Sequence, residues 1–381
     1  MSTMNAPAAS VTSASAPSVP AAPRPDQLTE RLGLGIDRVM AESGLWAPQL
    51  AARAFGQARG DVTRATQLLR THRTSLPRLG RSLPVRAGEL RVVRRISSAF
   101  RNPPGGQVLG RTLDYVGRLL DLLPEEEGRQ RAVLASESAH EHHDHHGHEH
   151  PGHEHPQHGH EDEVERAPGH VLSVFREMDI VAPPGDHDDP EPYDITRHPA
   201  RPGVPRSALL QTMARADTGA LLYLWYGSEW KPGGQEAHEV PGELRHGFLP
   251  IRVEHPHTGR PVTVGDVRVS EVVSFHSLTR ASELPRHLDV GYGMCFGHNE
   301  RKAISMAGAD ILLGHYEGTE RAAGLQHDVL LTLDGLDITG YTEHQKLPHH
   351  AEYRSVLERA TAAAAHQAGP HRTGPHPGDT A

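Results

Sequence analysis

The stretch TEHQKLPHHAEY, residues 342–353, sets His344 and His349 five positions apart around Pro348. Two neutral imidazoles at that spacing can share one zinc ion, leaving positions for water, a substrate oxygen or a second chain. The same spacing suits an acid/base pair or an exposed polar loop, and spacing alone does not choose between them. His350 follows at once and points elsewhere in an extended segment, where successive side chains alternate. A second stretch, CFGHNERKAIS, places Gly297, His298 and Asn299 at a helix start, with Glu300, Arg301 and Lys302 in its first turn. Cations there oppose the helix dipole. A bound phosphate removes the conflict, because the N–H groups and both cations favour an anion. A solvent-facing turn balanced by Glu300 is the plain alternative. A third stretch, NPPGGQ, is strong turn chemistry; Gly105, Gly106 and Gln107 either offer N–H groups to a phosphate or simply reverse the chain.

Eleven histidines lie between His140 and His160. Nothing apolar is interleaved to pack them into a fixed shell, so the tract reads as a low-complexity insertion that binds metal loosely. A metal-storage role resting on it explains none of the other stretches. No GxxxxGK[ST] phosphate loop, GxSxG elbow or HExxH zinc helix occurs. Cys295 is the single cysteine. It excludes an internal disulfide and reads as a small buried apolar residue in a reducing, cytoplasmic setting.

Those stretches need a scaffold. The chain has 381 residues, net charge −9 with histidine neutral, and only 36% hydrophobic residues. The charge advertises no nucleic-acid surface. No run of about 18 apolar residues predicts a membrane span, and the small-residue, Pro-rich start lacks the basic and Leu-rich parts of a signal peptide.

Asp26 to Gly44 predicts one amphipathic helix, APQLAARAFGQAR a second, and GDVTRATQLLR a third capped by Asp61. RRISSAF reads as a basic segment before the NPPGGQ turn, and an amphipathic helix follows through Leu113, Val116, Leu120 and Leu123. SALLQTMARAD predicts a helix. ALLYLWY, GFLPIRVEH, PVTVGDVRVSEVVSFH and HDVLLTLDG read as strands. GYGMCFG reads as a Gly-rich turn into a helix capped by Asn299, and the His344 stretch as a loop before a last helix from about Ala351.

The class is α+β: a helical N-terminal region followed by a mixed α/β body with antiparallel strands. The expected divisions are a disordered tail over 1–25, a small helical region over 26–75, and a helix-turn-helix part of the core over 76–136. The His-rich insertion over 137–166, an α+β body with the His motif over 167–361 and a disordered tail over 362–381 complete them.

RRISSAFRNPPGGQVLGRTLDYVGRLLD, GYGMCFGHNERKAISMA and EHQKLPHHAEY, in that order, closely resemble subunit I of the carbon–phosphorus lyase core complex. LGLGIDRVMAESG and GDVTRATQLLRTHRTSL fit the helical front of the same family. The resemblance runs from about residue 27 to 360 and skips the histidine tract.

The resemblance implies a subunit that works with G and H subunits and an ATPase-like L subunit. Together they replace the purine of ATP or GTP by an alkylphosphonate, giving α-D-ribose 1-methylphosphonate 5-triphosphate. It implies nucleosidase activity for the subunit alone, a later radical step on subunit J, and a further ATPase-like K subunit. It also implies zinc at the surface shared with J, carried over by motif to His344 and His349, and Mg²⁺ with the triphosphate. Displacement at an anomeric carbon needs a protonated leaving base and a positioned anionic nucleophile. His298 and Asp114 are candidates for that acid. Gly105, Gly106, Gln107, Arg301 and Lys302 are candidates for the phosphates. The alternative is a non-catalytic scaffold that supplies zinc ligands at the J interface.

Overall fold

The computed structural model describes residues 23–110, 170–183, 191–229, 240–276, 287–346 and 352–367, with isolated positions between 122 and 127. Apolar residues at three- and four-residue spacing fold the front into helices α1 (Pro25–Arg31), α2 (Gly33–Ser43), α3 (Pro48–Gln57) and α4 (Val62–Thr74). The single helix expected over Asp26–Gly44 is two, broken at Leu32 (φ −121°, ψ 30°). Gly44 ends α2 in the left-handed region (φ 65°), which suits glycine. Asp61 caps α4 as expected, accepting from Arg64 N at 3.0 Å. Ile36, Val39, Met40, Ala51, Ala52, Phe55, Ala65 and Leu69 form one buried cluster between these helices.

A four-stranded antiparallel sheet follows, in the order β1 (Arg91–Ile96), β2 (Val240–Glu254), β3 (Pro261–His276) and β4 (Asp289–Phe296). The class is α+β, with helices at the front. The basic segment RVVRRI, expected in a helix-turn-helix part, is strand β1: its β-branched residues pair with Leu244–Phe248 of β2. The helices of the body are α5 (Val171–Glu177), α6 (Arg206–Arg215), α7 (Thr218–Glu229), α8 (Glu300–His315), α9 (Glu320–Gln345) and α10 (Tyr353–Gln367). The chain divides into two compact units between Gly335 and Leu336. Everything up to the middle of α9 belongs to the first. The second holds the end of α9 and α10. Among the described residues no helix is long and apolar enough to cross a membrane.

Two expected strands are helices. ALLYLWY lies in α7, which Asp217 starts by accepting from Ala220 N at 2.7 Å. HDVLLTLDG lies in α9, where Leu325, Val329 and Thr332 are buried at four- and three-residue spacing. The last helix runs to Gln367, past the fraying expected from Ala362.

The expected Gly-rich turn GYGMCF is strand β4, and its glycines have a packing reason. A Cβ on Gly291 would lie 2.0 Å from the Ala307 carbonyl, and one on Gly293 2.1 Å from that of Ala303. Helix α8 therefore rests directly on the strand backbone. Asp310 of α8 fixes the contact by accepting from Tyr292 N at 2.9 Å and Arg206 Nε at 2.8 Å. Gly293→Ala must push α8 off the sheet. We expect a loss of about 3 kcal/mol or more in urea unfolding, the upper range for overpacked cores. A loss under about 1 kcal/mol would mean that the helix can slide.

Candidate functional site

Strand β1 carries two adjacent buried arginines, and alternation sends them to opposite faces of the sheet. On the first face Arg95 Nε donates to Glu243 Oε1 at 2.6 Å. Its Nη1 donates to Pro104 O and, at 3.0 Å, to Gly106 O. Glu243 Oε2 also takes the Val171 N–H at 3.1 Å. Arg245 clasps Glu271 through Nε at 2.7 Å and Nη2, and Tyr292 Oη donates to the other oxygen at 3.0 Å. His170 completes the group, Nδ1 standing 3.0 Å from Glu243. Leu172 N also approaches that Nδ1, at 3.2 Å. The shorter carboxylate contact requires a proton on Nδ1, so we assign the bond to Glu243. Burial, then the nearby Arg245 charge, holds the ring below the ordinary histidine range. Burial, reinforced by Glu271, pushes the Tyr292 hydroxyl well above the ordinary phenol range. Each charge here has an opposite partner and is shielded from water. The group is a built interior.

The other face differs. Arg94 Nε donates to Glu300 Oε1 at 2.6 Å, and its Nη1 donates to Leu109 O at 2.6 Å. The same Glu300 oxygen lies 3.1 Å from His298 Nε2. The His298 ring stacks on that of His246, centroids 4.4 Å apart and planes tilted 22°. His246 Nδ1 meets Ser270 Oγ at 3.2 Å. Burial opposes ionisation of Glu300, but bonds from His298 and Arg94 outweigh it and hold the carboxyl below its usual range. Burial, helped by the His298 and Arg268 charges, lowers His246 to about 4.

The buried His246 gives a sign-definite pH effect. Its folded value of about 4 lies below the ordinary 6.5, so between these values the unfolded chain binds a proton that the native chain refuses. Acidification through that window therefore costs stability. We expect the urea midpoint to fall more between about pH 7 and pH 5 in the unaltered chain than in His246→Gln. Equal falls would contradict it.

The turn before α8 is pinned from within. Gly297 N donates to Arg268 O at 2.8 Å, His298 N to Asp37 Oδ2 at 2.9 Å, and Asn299 N to Ser270 Oγ at 2.9 Å. Arg268 Nη2 holds both Asp37 oxygens. The Asp37 carboxylate from α2 thus fills the anionic place at this helix start. Asn299 stands at the N-cap, yet its side chain turns back to the Asp37 and Phe296 carbonyls at 3.0 and 2.6 Å instead of capping.

The expected phosphate residues separate. Arg301 is exposed at the first turn of α8. Lys302, expected beside it, is 1% exposed and donates to Ala216 O at 2.9 Å. Its stem is long enough to reach the C-terminal end of α6, and burial lowers its amine to about 8. Gly105 (φ 79°) and Gly106 (φ 73°) form an exposed turn. Gln107 braces it, with Oε1 accepting from Ser97 N at 2.8 Å and Nε2 donating to Ser97 O at 2.6 Å. Through Arg94 and Arg95 the NPPGGQVL and GHNERK stretches meet on one strand. The sequence names both stretches but not the arginine pair that joins them.

His344 is exposed on the last turn of α9, where a loop was expected. His349, His350 and Asp114 lie outside the described residues. Among the described residues no group of 3 or more His, Cys, Asp or Glu is placed to hold a metal ion. An exposed imidazole has the right chemistry for one zinc ligand, and the rest of a site must come from elsewhere. Cys295 is buried, and burial pushes its thiol up to about 11, as suits a packing residue.

A family model described as bacterial phosphonate metabolism protein (PhnI) matches residues 7–367. A putative C-P lyase subunit, HtxH, of Stutzerimonas stutzeri is 37% identical, over 87% of this chain and 85% of that protein. The PhnI subunit of alpha-D-ribose 1-methylphosphonate 5-triphosphate synthase from Rhizobium meliloti (strain 1021) is 36% identical, over 87% of this chain and 84% of its own. The subunit of the same name from Escherichia coli (strain K12) is 33% identical, over 87% of each. Identity at these levels across nearly the whole length places the chain in the PhnI family of bacterial phosphonate metabolism proteins.

Proposed function

We propose that this chain is a catalytic subunit of an alpha-D-ribose 1-methylphosphonate 5-triphosphate synthase, working in the catabolism of organic phosphonates. The observation that carries the reading is a family match over residues 7–367, with relatives that bear that name. In this reading a complex with G, H and J subunits and ATPase-like K and L subunits exchanges the purine of ATP or GTP for a phosphonate at ribose C1. The chain alone releases the base to water. The exposed Arg301 and the Gly105–Gly106 turn contact the triphosphate, which arrives with Mg²⁺. Gln107 braces the turn, and Lys302 serves the core. His344 and His349 hold zinc. The work belongs in the cytoplasm, where the nucleotide is.

A second reading has its own observation: His344 stands exposed at the end of α9 with no metal cluster around it among the described residues. On that reading the chain is a scaffold that contributes zinc ligands to an interface with subunit J. Adenine release from ATP separates the two. The catalytic reading expects slow release by the purified chain and faster release with its partners. The scaffold reading expects none from the chain alone, and an unchanged rate from the assembly when Arg301 or the Gly105–Gly106 turn is altered.

A further inference from the structure

Two polar clusters flank the sheet, and they differ in how their charges are paired and how far they reach the surface. The Arg95–Glu243–Arg245–Glu271 group is buried and internally paired. In the second cluster the His298 side chain is 24% exposed. Its Nε2 faces Glu300, and among the described residues nothing bonds its Nδ1.

The charges around that ring decide what it can meet. From α2 it faces Asp37, from β1 Arg94, from β2 the neutral His246 and from β3 Arg268. Glu300 and Arg301 open helix α8 just after it. Arg268 Nη2 holds both Asp37 oxygens while its buried Nε bonds nothing among the described residues, and Arg94 holds Glu300 and the Leu109 carbonyl. Each carboxylate beside the ring is paired with an arginine, so a phosphate finds its cation farther out at Arg301, while a heterocycle that gains a proton during reaction is favoured beside Glu300. The stacked histidines make an aromatic wall in which the His298 ring is the one that reaches the surface, while burial keeps His246 uncharged.

Resting on the synthase reading above, we infer that His298 is the general acid for the departing purine, with Glu300 and Arg94 as positioning residues. As the C1′–N9 bond breaks, its electron pair stays on the purine and the Nδ1 proton of His298 passes to purine N7. A phosphonate oxygen forms the new bond to C1′. Water takes its place in the nucleosidase reaction and gives up a proton to solvent. Glu300 keeps Nε2 protonated and supplies the countercharge to the imidazolium. Arg94 fixes Glu300 to the strand that also carries the NPPGGQ turn.

The test uses the assembled complex, ATP and 7-deaza-ATP, whose ring has no N7 to protonate. Single-turnover base release is measured for the unaltered chain, His298→Gln and Glu300→Gln. His298→Gln should slow adenine release by about 10²–10⁴-fold, the usual share of a general acid. Glu300→Gln should slow it less and move its pH profile. The unaltered complex should be slow with 7-deaza-ATP, and His298→Gln should slow that substrate no further. That arm holds even if a variant folds poorly, because it begins with the unaltered protein. Equal rates for ATP and 7-deaza-ATP in the unaltered complex would overturn the inference. So would a His298→Gln loss that is the same for both substrates, since that is a structural effect. An unaltered complex that releases no base from ATP would overturn the synthase reading itself.

Discussion

Glu243→Ala is expected to lower stability by about 3–5 kcal/mol, the cost of leaving a buried charge without its partner. Arg95 and Glu243 are each 1% exposed, so loss of the carboxylate leaves the guanidinium buried. Val171 N loses its acceptor as well, so the start of α5 loosens from the sheet. The Pro104 and Gly106 carbonyls still accept from Arg95 but cannot neutralise it. Urea unfolding followed by circular dichroism measures the loss. The double change Arg95→Met with Glu243→Leu should recover much of it, because an apolar pair of similar volume needs no desolvation. A single variant within about 1 kcal/mol of the unaltered chain would show that water reaches the cluster and that the sheet does not depend on it.

A larger functional effect is expected at the other end of the chain. His344→Ala and His349→Ala should each abolish stoichiometric zinc and, with it, activity in the assembled complex, while the subunit still folds. Substitutions merely adjacent to metal ligands cost about 10–100-fold in affinity, so removing a ligand should exceed that range. His344 is exposed on the last turn of α9, so its loss should cost the fold little, within about 0.5 kcal/mol. The count is made on a variant lacking residues 138–165, whose histidines would otherwise hold metal loosely. His350→Ala should retain zinc. Full occupancy in both His344→Ala and His349→Ala would return the stretch to a polar segment.

The sequence reading succeeded where a local signal is also the structural cause. Asp61 caps α4, Gly44 ends α2, and alternating β-branched residues make β2 and β3. It failed where tertiary contacts decide. GYGMCF carries turn-like glycines, yet they are glycines because α8 lies against β4, which no local pattern reveals. ALLYLWY has the composition of a strand; Asp217, three residues before Ala220, is the cap signal that marks it as a helix. HDVLLTLDG is ambiguous in the same way, a short apolar run without its own punctuation.

At the site, His298 was legible as a residue at a helix start. Its partners were not: Asp37, Arg94 and His246 lie 261, 204 and 52 positions away, by subtraction of their numbers, and come together only through the sheet. Lys302 shows the opposite failure. A lysine in a first turn reads as an anion ligand, but the helix face it occupies is buried. No pattern beside it signals that the Asp37 carboxylate already fills the anionic place.

The central claim is the exchange of a purine for a phosphonate at ribose C1. Phosphorus NMR of the reconstituted complex, supplied with ATP, Mg²⁺ and methylphosphonate, tests it most directly. The account predicts a new phosphonate-ester resonance that grows in step with free adenine, while the three phosphates of the nucleotide stay linked. Loss of the terminal phosphate with no adenine released and no phosphonate ester formed would contradict it.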